Sequence, residues 1–250
     1  MHPDQRQYQS ARNPTVTRRV FPVTSDTYRR IGLRRDHINL SRDCREPWLL
    51  IVLGVGGIAG CAALIFGTLI GPYYVPDHDW IADTISDLAA GDSEIIMDVA
   101  LYGFAAGLFA AALAAAHAHP GGAAWSAGIV ALAILAAIVI VVGARNEYGD
   151  NDSEGIVIHS YLVYGLGFFF LVAPLCMAAG AGTRSHGIKW ALLGLAAVWA
   201  LAAPVFFLLP TGIDGLYERG LGLIACAMTA VLCLHFIAIG HSSLRRRDAR

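Results

Sequence analysis

Residues 77–92, DHDWIADTISDLAAGD, hold five aspartates, His78 and Ser86 directly after a long apolar run. Two other polar segments, residues 144–155 (ARNEYGDNDSEG) and 211–220 (TGIDGLYERG), add Arg145, Glu218 and Arg219, while Asp98 and His159 stand near the starts of apolar runs. Together Asp83, Ser86, Asp87, Asp98, Arg145, His159, Glu218 and Arg219 are the candidates for a polar pocket. Three chemistries are open to such a set. The two arginines could neutralise the aspartates, with Asp87 and Arg219 as a pair and His159 donating a hydrogen bond. They could instead contact the phosphate of a lipid headgroup while the carboxylates orient them or bind a cation. In the third, His159, Asp87 and Ser86 are catalytic: His159 is a base or metal ligand, Asp83 and Asp87 are further ligands, and Ser86 orients water. A zinc site usually has more than one histidine, and only His78 could join His159, so no cofactor is expected, although a metal ion remains possible.

These groups must be positioned by a chain of 250 residues that is 56% hydrophobic and 15% charged. With its positive mean hydropathy, that composition lies outside the range of soluble globular domains and reads as an all-α polytopic membrane protein. Crossing about 30 Å of hydrocarbon takes about 20 apolar residues at 1.5 Å each. Six such runs occur, at about 48–71, 95–118, 123–144, 156–179, 187–209 and 216–240. The expected organisation is a six-helix membrane domain over 47–241, with an Arg-rich tail at 1–46 that reads as disordered and a basic tail at 242–250. Between the first two spans, Asp79 suits a helix N-cap and Gly91 a stop, which would set Asp79, Asp83 and Asp87 on one polar stripe. Trp80, Ile81, Ile85 and Leu88 would line another face, the pattern of a short amphipathic helix at the membrane interface.

Sixteen of the eighteen basic residues flank the spans on one side, and thirteen of the nineteen acids fall on the other. Because Lys and Arg are retained in the cytoplasm, both termini are expected there, in a cell membrane, with the acidic segments facing out. The first span is read as a retained anchor, since the leading residues lack the apolar core of a cleaved signal. Close helix approach in lipid relies on small residues, and Gly56 with Gly60, and Gly103 with Gly107, have the required spacing. Pro174 and Pro204 are expected to kink their helices. Cys44, Cys61, Cys176, Cys226 and Cys233 form no disulfide or zinc pattern and read as small packing residues.

Several short motifs resemble those of the domain of unknown function 998 family of prokaryotic membrane proteins. They are ISDLAAG (Ile85 to Gly91) after the first span, Gly103 in YGF, His159 in IVIHSYLVYGLGFF, and GLYERGLGL (Gly215 to Leu223) opening the sixth span. The resemblance covers about residues 48 to 240 and implies that Ser86, Asp87, His159, Glu218 and Arg219 are the polar signature positions. Where the family usually has SDLG, this chain has Ala89. The family is similar in plan to DRAM-type membrane proteins and, more loosely, to membrane hydrolases of the ceramidase and adiponectin-receptor type, and the resemblance implies no reaction.

The reading that follows is an integral membrane protein of unassigned activity with an outward-facing polar pocket for a lipid headgroup or cation. Its partners would be membrane lipid or a small-molecule ligand, not nucleic acid, and its oligomeric state is left open. A metal-dependent lipid hydrolase is the alternative, weakened by the lack of several span-embedded histidines. A transporter is the second alternative, weakened by the absence of an internal repeat or midplane charge.

Overall fold

The computed structural model describes residues 46–89, 94–144, 158–181, 185–210 and 212–249, all within one compact unit spanning residues 43–250. The expectations for the Arg-rich tail before Glu46, for Cys44, for the stop at Gly91, and for Arg145 and the loop that follows it lie outside the described residues. Six long helices form, each apolar and long enough to cross a membrane. They are α1 (Pro47–Ile70), α3 (Glu94–His117), α4 (Ala123–Ala144), α5 (Ile158–Ala181), α6 (His186–Phe206) and α7 (Asp214–Asp248), with a four-residue helix α2 (Ile85–Leu88) between α1 and α3. The chain is therefore an all-α polytopic membrane protein, and no strand occurs among the described residues. Helices are the form such runs take, because in hydrocarbon every backbone polar group must find its partner within the segment. Pro47 opens α1, where its missing N–H costs nothing. Gly121 and Gly122, with φ of +94° and +98°, make the tight reversal between α3 and α4. Helix α7 runs on through most of the basic tail to Asp248.

Each long helix packs on the next in sequence, and α7 returns against α1, so the six close a ring, with α3 also touching α7 across it. The α1–α3 seam depends on glycine. A Cβ on Gly60 would stand 2.6 Å from the Gly103 carbonyl oxygen and 2.8 Å from Gly107 Cα, so the two backbones meet directly. Gly56 differs: a Cβ there would rest at 3.6 Å from Ala110 Cβ, ordinary contact, and its small size is not required. Cys61 and Cys226 are buried and pack together, each thiol directed at the other's backbone carbonyl.

Between α1 and α3 the chain folds across one end of the ring, here termed the loop end. A helix does form after the first span, but shorter than the one expected from Asp79. The Asp79 carboxylate accepts the N–H groups of Ile81 and Ala82, and the Asp79 N–H donates to Asp83 Oδ2 at 2.7 Å, which closes a separate turn. Thr84 is then extended (φ −78°, ψ 170°) and starts α2 with a capping box: the Asp87 N–H donates to Thr84 Oγ1, and the Thr84 N–H donates back to Asp87 Oδ2. Asp79, Asp83 and Asp87 therefore do not share one helical stripe. Ala89 follows with φ −88°, a conformation that needs no glycine.

Candidate functional site

The loop is held down by the first turns of α7. The N–H groups of Gly215 and Leu216, which have no backbone partner within their own helix, donate to the carbonyls of Ala82 and Ile81 at 3.2 and 3.0 Å. Gly215 is buried, and a Cβ on it would run into the Asp83 carbonyl. One turn on, Arg219 is only 7% exposed. Its Nη1 donates to the Asp83 carbonyl at 2.8 Å and the Trp80 carbonyl at 3.3 Å, and its guanidinium lies 4.8 Å from the centre of a Trp80 ring. Its Nη2 lies 2.9 Å from His78 Nε2. A guanidinium can only donate, so His78 accepts at Nε2, and its proton sits on Nδ1, which faces Asp83 Oδ2 at 3.5 Å. Burial, and then the charge of Arg219, hold His78 below the usual imidazole range against the opposing pull of Asp83, Asp87 and Asp79. The Ile81 and Ala82 N–H groups hold the Asp79 carboxyl below its usual range.

Glu218 holds the start of α2. Its Oε2 accepts the Ile85 N–H at 2.6 Å. With the start of α2 fixed in this way, the Ser86 hydroxyl lies 3.2 Å from His159 Nε2 at the start of α5. Beneath this pair is a cavity of about 440 Å³ lined by all six long helices and by α2. Polar lining residues, among them Thr84, Ser86, His159, Ser160, Asp214 and Glu218, lie at the loop end. Deeper, the wall is Leu64, Leu101, Phe104, Leu166, Phe170, Trp199 and Ala225. The Trp199 indole N–H is satisfied by the Gly167 carbonyl at 2.8 Å. Lining residues on α5 run from His159 to Phe170, so the cavity reaches about 16 Å along the helix axis.

Of the residues singled out in the sequence, Ser86, His159 and Glu218 converge on this cavity. Asp87 is a neighbour committed to the capping box, and among the described residues no ion pair joins it to Arg219. Asp83 offers its carbonyl to Arg219 and its carboxylate to Asp79 and His78. Arg219 is turned toward the loop. Asp98 sits on α3 away from the cavity lining, with its buried Oδ1 lacking a hydrogen-bond partner among the described residues. No group of three or more His, Cys, Asp or Glu is placed to hold a metal ion among the described residues, so Asp83, Asp87 and His159 are not gathered as ligands. Gly215, Asp214, Ser160 and the cavity aromatics were not singled out. Gly215 left a trace in the sequence as part of GLYERGLGL, Ser160 and Tyr164 as part of IVIHSYLVYGLGFF, and Asp214 as part of TGIDGLYERG.

Comparison with known families matches residues 58–235 to "Protein of unknown function (DUF998)". The chain belongs to this family. The match begins within α1, ends within α7, and takes in the loop and every element that lines the cavity, so the site described here lies wholly inside the DUF998 region. No curated protein and no solved structure matches the chain.

Proposed function

We propose that this DUF998 protein is a non-enzymatic membrane protein that holds one amphipathic, lipid-like molecule in the loop-end cavity. The observation that supports this is the gradient along the cavity: hydroxyl, imidazole and carboxyl groups at its mouth, and aromatic and aliphatic walls below. Its volume falls within the range of about 300 to 1,000 Å³ typical of ligand pockets, which likewise combine a mostly apolar lining with few polar groups. The head would meet Ser86, His159 and Glu218, and the chain would lie along Phe104, Phe170 and Trp199. Arg219 is a clasp for the loop in this reading and not a phosphate ligand, because its Nη1 donates to two carbonyls and its Nη2 to His78, and it does not line the cavity. In this reading both termini are cytoplasmic, as the basic flanks support, and the cavity mouth faces the outer side of a cell membrane. A single cysteine at Asp152 would then react with an impermeant reagent on intact cells; reaction only after permeabilisation would reverse the orientation.

Hydrolysis at the same mouth is the second reading, favoured by the Ser86 to His159 distance of 3.2 Å. Ester cleavage at Ser86 would need free N–H donors for the developing oxyanion, and that of the adjoining Ile85 is held by Glu218. Binding is therefore preferred. The test is quenching of Trp199 fluorescence by an amphiphile brominated on its chain, in protein held in a lipid nanodisc. Binding predicts that the quenching contributed by Trp199, read as the difference between the protein and its Trp199→Phe variant, saturates at one amphiphile per chain. Quenching that rises without saturation would overturn it, and labelling of Ser86 by a fluorophosphonate would favour the hydrolase.

A further inference from the structure

We infer that the cavity selects an amphiphile whose head is a cation, a long-chain amine or quaternary ammonium, over one headed by phosphate. This rests on the binding reading above and names its ligand class. The carboxylates of Asp214 and Glu218 both line the mouth, and among the described residues no Lys or Arg lines the cavity at all. The nearby guanidinium, Arg219, faces the loop on the other side of Glu218's helix turn and is shared among two carbonyls and His78.

The aromatic lining points to the same class. Next to the mouth, Tyr164 and Phe207 have ring centres 4.9 Å apart, and Phe206 lies 5.6 Å from Phe207. Below them Phe104, Phe170 and Trp199 form a second group, with Phe170 at 6.4 Å from Phe104 and 5.1 Å from Trp199. Aromatic faces beside carboxylates attract a weakly hydrated cation, through the ring quadrupole and through charge, in a setting poorer in water than the surface. A phosphate would meet the Asp214 carboxylate here, with no Lys or Arg among the described lining residues to receive it. Tyr164 and Phe207 are also about half exposed on the bundle's flank between α5 and α6, so a chain could pass from the lipid between these helices.

The experiment displaces the brominated probe with dodecyl chains that differ only in head: trimethylammonium, maltoside and phosphate, in nanodiscs of zwitterionic lipid. The ammonium is expected to bind at least about tenfold more tightly than the phosphate. Asp214→Asn, which keeps a side-chain oxygen for the Gly215 N–H, is expected to bring the two within about threefold, and Asp214→Glu to restore the preference. Equal binding of all three heads, or tighter binding of the phosphate, overturns the cationic preference and leaves the amphiphile site standing. A probe that never saturates overturns the binding reading and this inference with it.

Discussion

At the scale of single residues, the site depends on groups whose partners are backbone atoms. Arg219 was conspicuous in the sequence as a charge in a span, but its partners are the carbonyls of Trp80 and Asp83, and carbonyls carry no residue type for a sequence to display. A pairing with Asp87 was the natural expectation from charge alone, and it gave way because Asp87 is better satisfied by Thr84, three residues away. Arg219→Lys is expected to lower unfolding stability in detergent by about 1 to 3 kcal/mol, because an ammonium cannot span two carbonyls and an imidazole as a planar fork does. A melt that matches the wild type would refute the clasp. His78 gives the loop a pH dependence. Its folded value is depressed, so the stability it contributes is complete above the unfolded imidazole value of about 6.5 and is lost as pH falls through the folded value. Protonation would place N–H groups of His78 and Arg219 face to face. Amide exchange in residues 78–85 should therefore speed up between pH 7.5 and pH 5 beyond its intrinsic pH dependence, and His78→Gln should remove that excess.

At the scale of elements, the six spans were legible because hydrocarbon demands runs of about 20 apolar residues and tolerates few charges within them. The glycine spacings on the first two spans were legible too, and the structure separates them by role. Gly60→Ala should destabilise the α1–α3 seam by about 1 to 3 kcal/mol, because its Cβ meets backbone that cannot give way. Gly56→Ala should be close to neutral, and a thermal melt of both variants decides the point. The loop was less legible. The i, i+4 spacing of Asp79, Asp83 and Asp87 suits a helix, but Asp79 and Thr84 also suit caps, and the chain uses both as caps for two shorter turns.

At the scale of the whole molecule, the ring of helices and the cavity it encloses could not be read from the sequence. In lipid an apolar residue is equally at home facing hydrocarbon or facing a neighbour, so Phe170 and Trp199 look the same in the sequence as the exposed Phe168 and Trp190. Only helix order and rotation about each axis decide which aromatics face inward. Gly167 then gains a meaning: it lies among cavity-lining residues of α5, and a Cβ added there meets nothing within 4 Å. A leucine at this position should fill the cavity without straining the fold. The most direct test of the binding reading is therefore titration of Gly167→Leu with the brominated amphiphile beside a thermal melt. The expected result is loss of saturable Trp199 quenching with the unfolding temperature kept. Saturable quenching of unchanged affinity in that variant would contradict a ligand held in the cavity.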